Sequence, residues 1–136
     1  MSVRILVESV VNPTEDEKKV ERALRNLFPA GKIEGASPDG GGRLRIQGEG
    51  LEFLSTLRDL IRQERIRGAA RAILMRRAYG QRLDVYLNKQ AAFVGRISFC
   101  EPEGESPHGP ISIAIEAANP DDVVEYLTYG LELRRR

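Results

Sequence analysis

Short runs of alternating apolar and polar residues between positions 82 and 117 limit most strongly what this chain can fold into. The alternating apolar residues are Val85 and Leu87, then Ile97 and Phe99, then Ile111, Ile113 and Ile115. Successive side chains of a strand point to opposite faces, so this alternation predicts strands with one buried face. A loop containing proline and glycine separates the last two runs. The pattern therefore predicts strands over residues 83–87, 96–100 and 111–117.

The rest of the chain reads as further strands and amphipathic helices. Residues 3–11 are rich in β-branched side chains and predict a first strand. Thr14 followed by Glu17 forms a capping box that begins a helix, and Pro29 and Gly31 end it. The other predicted elements are strands at residues 32–37 and 43–48, helices at residues 51–67 and 69–79, and a last helix that begins at Asn119.

This order of elements, β-α-β-β-α-α-β-β-β-α, predicts one α+β domain over residues 1–136. We expect an antiparallel-rich sheet with helices mostly on one face, because the helices have single apolar stripes. The apolar positions of strands and helices predict a core that includes Ile5, Val7, Leu24, Leu27, Leu54, Leu57, Ile61, Val85, Ile113 and Leu127.

Composition narrows the classes of protein to which the chain can belong. Hydrophobic residues make up 41% and charged residues 30%, and the net charge is +1, so no global field attracts nucleic acid or a membrane. The single cysteine, Cys100, excludes an intramolecular disulfide and favours a reducing compartment. The sequence has no apolar run of about 18 residues and no signal peptide. We therefore expect a cytoplasmic protein without membrane contact.

Two short motifs connect the chain to a known family. They are residues 87–95, LNKQAAFVG, and residues 105–111, ESPHGPI, and the Asn119-Pro120 helix start follows them. With these motifs the chain resembles, over essentially its full length, a small uncharacterised archaeal family whose fold is similar to the large-subunit ribosomal protein that binds five-S RNA. The resemblance implies this ribosomal-protein-L-five-like fold, a homodimer and RNA binding. It supplies no catalytic residues and implies no role for His108 in the second motif.

The most unusual local feature is a run of arginines within residues 62–82. Seven arginines stand against one acid, Glu64, a local excess of six positive charges. Guanidinium groups bind phosphate bidentately, so the run predicts a surface for an RNA backbone, with Arg67 and Arg71 facing solvent from a helix. The alternative is a set of solvated helix faces and ion pairs with acids elsewhere, such as those of the last helix. The seven are Arg62, Arg65, Arg67, Arg71, Arg76, Arg77 and Arg82.

Aromatic residues contribute little to this run. They make up 6% of the chain, and the run contains none before Tyr79. Sequence-specific recognition of RNA commonly stacks bases on aromatic rings. We therefore expect no base-stacking platform here, and contacts to the RNA backbone alone.

A second candidate site lies around Lys89 and Gln90, at the exit of a predicted strand. Their ammonium and amide groups, with Ser106 and Gly109 of the later turn, could hold a carboxylate or phosphate. The alternative is structural. Gln90 would satisfy open backbone groups at the strand end, and the two alanines that follow would pack closely against a helix or a second subunit.

Signatures of catalysis and of metal binding are weak. The glycines at positions 40–42 precede a strand, whereas phosphate-binding loops lead into a helix N-terminus. Cys100 and His108 lack the paired spacing of zinc ligands. No third residue is identified that would orient a Cys–His nucleophile. We therefore predict no catalytic residues, no metal and no cofactor.

Two hypotheses from different classes follow. The first is a non-enzymatic interaction module that binds RNA weakly and non-specifically through residues 62–82. We expect it to be a homodimer, because one small domain can bury only part of the apolar stretch at residues 91–94. The second is a small-molecule or anion-binding protein, or an enzyme, with a pocket near Lys89, Gln90 and the turn at residues 106–110.

Overall fold

One antiparallel sheet determines the architecture of the protein. The computed structural model describes residues 2–35, 42–102 and 109–129. Its strands are β1 (Val3–Val11), β2 (Gly42–Glu49), β3 (Ala78–Tyr79), β4 (Arg82–Leu87) and β5 (Ile111–Ala117). They form a five-stranded sheet in the order β2-β1-β5-β4-β3, and every neighbouring pair is antiparallel. The predicted α+β class with an antiparallel sheet is confirmed.

The helices are short and amphipathic. They are α1 (Glu17–Leu27), α2 (Ser55–Gln63), α3 (Arg67–Arg77), α4 (Lys89–Phe93) and α5 (Pro120–Tyr129), and a 3₁₀ turn (Leu51–Leu54) precedes α2. Within the described ranges, each helix is too short or too polar to cross a lipid bilayer. Asp16 caps α1 by accepting a hydrogen bond from the backbone amide of Lys18 at 3.0 Å. The sequence predicted the cap at Thr14, and the structure places it two residues later, at Asp16.

Alternate strand residues give the sheet a buried face and an open face. In β1, Val3, Ile5 and Val7 are buried, whereas Arg4 points to the other side and is exposed. The helices cover the first face, and their apolar side chains join those of the strands in one cluster. All ten core residues predicted from the sequence are buried, which confirms the face assignment.

The segment at residues 96–100 is not a strand of the sheet. The chain leaves β4 into α4, and Asn88 caps that helix by accepting a hydrogen bond from the amide of Ala91 at 2.9 Å. The segment then meets the sheet through a bridge between Phe99 and Leu87. β3 pairs with Arg82 and Leu83 at the start of the same edge of β4, and the bridge at Leu87 lies at its other end.

The segment at residues 32–37 differs from prediction in a similar way. Glu34 forms a bridge with Arg45 of β2, and each backbone amide donates to the other carbonyl at 2.9 Å. Gly35 then adopts a φ of 96°, a left-handed conformation that glycine adopts without strain. The rest of this segment and the turn that contains Gly40 and Gly41 lie outside the described residues.

The helical region predicted at residues 51–67 is divided by a sharp corner. After α2, Arg65 adopts a left-handed conformation with a φ of 60°, which a non-glycine residue rarely takes. The break expected at Gly68 therefore lies three residues earlier, and Gly68 belongs to the first turn of α3. After this corner, α3 packs against α5, and arginines lie on both sides of the turn.

Candidate nucleic-acid interface

The structure places the seven predicted arginines along α2, α3 and the β3–β4 hairpin, and we call these seven residues the arginine surface. It separates them into two groups. In the described part of the chain, Arg62, Arg65, Arg67 and Arg76 are exposed and form no ion pair with a carboxylate, whereas Arg71, Arg77 and Arg82 are paired. Only the first group leaves all of its guanidinium donors available to a phosphate.

The sequence predicted that Arg71 faces solvent, and the structure differs. Its guanidinium forms an ion pair with Glu125 of α5, and its side chain is only partly exposed. The reason is the packing of α3 against α5, which turns this face of α3 towards a neighbouring helix. For Arg71, the structure thus agrees with the alternative prediction, an ion pair with an acid of the last helix.

Arg77 and Arg82 are also held by acids. Arg77 lies 2.8 Å from Glu101, and the Nε of Arg82 donates to Asp84 at 2.8 Å. The hydrogen bond to Asp84 and its negative charge raise the pKa of Arg82 further above its usual range. Both arginines thus have part of their charge compensated within the protein.

The acid that the sequence placed among these arginines, Glu64, is turned towards another segment. Its carboxylate accepts a hydrogen bond from the backbone amide of Ile97 at 2.9 Å and lies 3.4 Å from Arg96. Arg96 is distant in sequence, so no local spacing indicated that it would join this site. Among the described residues, the three arginines at the turn between α2 and α3 therefore have no carboxylate partner; we call Arg62, Arg65 and Arg67 the arginine corner.

An aromatic ring that the sequence analysis did not select lies beside this corner. Tyr129 ends α5, and its side chain is 45% exposed. The guanidinium carbons of Arg71 and Arg67 lie 5.3 and 5.8 Å from the centre of its ring. Because Tyr129 is far from the arginines in sequence, only the packing of α5 on α3 brings them together.

The open face of the sheet is also charged, but its arginines are matched by acids. Arginine–carboxylate pairs on this face join Arg4 to Glu116 at 2.7 Å, Arg45 to Glu8 at 3.2 Å, and Arg82 to Asp84 at 2.8 Å. Such exposed pairs contribute little to stability, yet they cancel much of the local field. The uncompensated positive charge of the arginine surface therefore lies on the helical side.

Lys89 is buried in the protein rather than presented to a ligand. It lines a cavity of about 400 Å³ at the starts of α1 and α4, and the residue is 5% exposed. Its ammonium group donates to the carbonyl of Val10 at 2.7 Å and to the carboxylate of Glu15 at 3.0 and 3.2 Å. Both amides of Asn12, backbone and side chain, donate to the same carboxylate at 2.9 Å. These contacts agree with a structural role for Lys89.

Opposing effects set the pKa of Glu15. Burial disfavours the charged form and raises the pKa of this carboxyl. Hydrogen bonds from the Asn12 backbone and from Lys89, together with the Lys89 charge, more than offset that effect and leave the pKa below its ordinary value. Glu15 is therefore ionised at neutral pH, and its charge compensates that of Lys89.

Of the other members of this second candidate site, Gln90 lines the same cavity as Lys89. Gln90 is exposed, and Asn88 rather than Gln90 caps the helix that follows the strand. Gly109 adopts a φ of 83° before β5, and Ser106 lies outside the described residues. Among the described residues, the structure therefore places Gln90 but not Gly109 at the cavity of Lys89.

Cys100 lies beside β4 as part of the bridged segment. Its backbone amide donates to the carbonyl of Tyr86 at 3.0 Å, and the residue is partly buried. His108 falls in the stretch that the structure does not describe. Across the described ranges, no three histidine, cysteine or acidic residues are arranged to hold a metal ion.

The fold and the arginine surface define an α+β protein with a charge-matched open sheet and a basic helical side. A family model described as RNA binding matches residues 4–117, from the first strand to the last. This match includes the whole arginine surface.

The chain belongs to this family, whose members carry the name UPF0201. It is 42% identical over 125 residues to the UPF0201 protein of Sulfolobus acidocaldarius, which covers 92% of this chain and 86% of that protein. It is 40% identical over 128 residues to the protein of Sulfurisphaera tokodaii, with the same two coverages, 92% and 86%. The crystal structure of the UPF0201 protein from Methanococcus jannaschii superposes with a TM-score of 0.79 at 29% identity, covering 92% of this chain and 98% of that one. The archaeal family indicated by the two sequence motifs is thus confirmed.

Proposed function

We propose that this protein is a non-enzymatic module that binds the phosphate backbone of RNA through its arginine surface. The observation that carries the proposal is the exposure of Arg62, Arg65, Arg67 and Arg76 without a carboxylate partner among the described residues. Unpaired guanidinium groups can bind phosphate oxygens without first breaking an ion pair. The RNA-binding description of the matching family model supports this function.

The charge distribution limits how strong this binding is. The net charge of +1 means that the arginine surface acts against acidic surface elsewhere on the molecule. We expect dissociation constants of about 10⁻⁴–10⁻⁶ M at physiological salt, as for other non-specific nucleic-acid contacts. Contacts to phosphates carry no sequence information, so unrelated RNAs should bind similarly.

Two further parts of the proposal rest on the family resemblance. We propose that the fold of this family is similar to that of the ribosomal protein that binds five-S RNA, and that RNA binding is common to both. We also place the protein in the cytoplasm, where the single reduced cysteine and RNA would both be found.

The cavity beside Lys89 is the competing site for a small molecule or an enzyme activity. An anion that enters it would have to compete with Glu15, which already contacts the ammonium group at 3.0 and 3.2 Å. The arginine corner presents no such competition. We therefore prefer the RNA-binding function.

Charge reversal at the arginine corner tests this function. The double variant Arg62→Glu/Arg65→Glu should bind generic RNA at least about tenfold more weakly, and the slope of log affinity against log salt should fall by about two. Both side chains are exposed and unpaired in the described structure, so the fold should persist. Filter binding across a salt series measures both quantities.

The matched control is Lys18→Glu/Arg25→Glu on α1, which changes the net charge by the same amount at exposed positions away from the corner. It should lower RNA affinity much less than the corner variant. If the two double variants lost RNA affinity equally, the net charge of the protein, and not the arginine corner, would determine binding. Absence of RNA retention by the parent protein at low salt would end the proposal.

We also infer that the protein is a homodimer. In the structure α1 covers part of the apolar stretch at residues 91–94: Ala92 is buried, and the side-chain amide of Asn26 donates to the carbonyls of Ala92 and Phe93 at 2.9 and 3.0 Å. Val94 remains 64% exposed and is the residue we expect at the contact.

Sedimentation equilibrium at micromolar concentration should give about twice the chain mass of 15.2 kDa. The variant Val94→Asp should shift the protein towards the single-chain mass, because a carboxylate at the contact would be desolvated. A parent protein that sediments as a single chain would contradict the dimer.

A further inference from the structure

The ring of Tyr129 and the guanidinium groups of Arg67 and Arg71 form one compact cluster at the arginine corner. The two guanidinium carbons lie 5.8 and 5.3 Å from the ring centre, within the range of cation–π contact. The tyrosine nevertheless keeps 45% of its side chain exposed. Arg67 and Arg71 lie over the ring, and the part of the ring that remains exposed is available to a ligand.

Helix packing holds this cluster in place. Arg67 and Arg71 are one turn apart on α3, and Glu125 and Tyr129 are one turn apart on α5. The ion pair between Arg71 and Glu125 connects the two helices directly next to the ring. Because the cluster is built from two packed helices, less ordering entropy is lost on binding than at a flexible loop.

The cluster combines the two chemistries that unpaired nucleotides need. Nucleobases stack on aromatic rings regardless of sequence, and phosphates bind guanidinium groups. Arg62 and Arg65 lie on the same turn of the chain, with the Arg65 amide donating to the Arg62 carbonyl at 3.1 Å, and their exposed guanidinium groups would supply the phosphate contacts. The rings of base pairs in a duplex are stacked on one another and are not available to Tyr129.

We propose that the arginine corner binds single-stranded RNA, with one unpaired base stacked on the ring of Tyr129. This inference rests on the RNA-binding function proposed above and adds a preference for unpaired over duplex RNA. It also departs from the sequence-based expectation that the site has no stacking platform.

Fluorescence anisotropy with two labelled probes tests the stacking. The probes are a short oligouridylate and an RNA duplex with a matched number of phosphates. Tyr129→Leu should weaken binding of the oligouridylate by about 5- to 150-fold, the usual loss for one stacked base, and should leave duplex binding nearly unchanged. Tyr129→Phe keeps the aromatic ring and should bind the oligouridylate almost as tightly as the parent.

Tyr79→Leu is the matched control, because Tyr79 is an exposed tyrosine at the opposite end of α3. It should retain the affinity of the parent for both probes. A loss for Tyr79→Leu as large as that for Tyr129→Leu, an equal loss for both probes, or no loss with Tyr129→Leu would each overturn the stacking.

A second readout covers the case in which Tyr129→Leu does not fold. The chain has four tyrosines and no tryptophan, so its emission reports on tyrosine alone. The oligouridylate should quench the parent clearly more than Tyr129→Phe, and equal quenching would place the stacked base elsewhere. Arg62→Glu/Arg65→Glu could lose binding of both probes while Tyr129→Leu binds both normally. That result would support binding to the RNA backbone and contradict the stacking. A parent that binds neither probe would remove both.

Discussion

Replacing Lys89 by methionine is expected to lower the free energy of unfolding by about 3–5 kcal/mol, the usual cost of removing one partner from a buried ion pair. Methionine has a similar length and no charge, so it leaves the Glu15 carboxylate and the Val10 carbonyl without the ammonium donor. The carboxylate keeps its hydrogen bonds from Asn12 but loses the compensating charge. Urea titration measures the loss.

This loss should depend on pH in a defined direction. The pKa of Glu15 is lowered in the folded protein, so its contribution to stability is complete above the ordinary glutamate value of 4.5 and disappears as the pH falls through the lowered pKa. Lys89 is one cause of that lowering. The difference in stability between the parent and Lys89→Met should therefore be largest near neutral pH and shrink under acid conditions.

The control for Lys89 is Lys19→Met, at an exposed lysine that lines the same cavity. Because Lys19 is exposed and its ammonium group makes a surface cation–π contact with Phe93 at 5.8 Å, its replacement should change the free energy of unfolding by less than about 1 kcal/mol. A loss below about 1 kcal/mol for Lys89→Met, or equal losses for the two variants, would show that Lys89 does not hold the α1 and α4 starts to the sheet. The cavity would then again be a candidate for a ligand.

Replacing Ile113 by alanine is expected to cost about 2–5 kcal/mol. Ile113 lies on β5 in the middle of the sheet, opposite Val7 of β1 and Val85 of β4, and is 1% exposed. Its truncation leaves a cavity between the sheet and the helices that cover it, since side chains of the central strands have little freedom to fill the space. The cost is measured as the shift in the midpoint of a urea titration at an unchanged slope.

The control for Ile113 is Val10→Ala, a truncation on the open face of the sheet. Val10 is 41% exposed, so Val10→Ala should lower the free energy of unfolding by well under half as much as Ile113→Ala. A loss below about 1 kcal/mol at Ile113 would contradict the assignment of the buried face. A changed slope would instead indicate an altered unfolded state.

Much of this fold was determined by local patterns in the sequence. A period of two predicted the strands around Ile113 and Val85, and a period near 3.6 predicted the apolar side of α1, including Leu24 and Leu27. These patterns report which side of each element is buried, and that is why every predicted core residue is buried. They do not report which element lies alongside. The segment at residues 96–100 alternates like a strand, yet it joins the edge of β4 through a single bridge between Phe99 and Leu87.

For the site, the sequence by itself determined the density of positive charge, and the tertiary structure decided which charges remain free. The packing of α5 on α3 paired Arg71 with Glu125 and placed Tyr129 next to Arg67. Lys89 and Glu15 form their ion pair although 74 positions separate them. Charge and periodicity are properties of neighbouring residues, whereas an ion pair or a stacked ring needs a short distance between elements that are far apart along the chain. Only the folded chain supplies that distance.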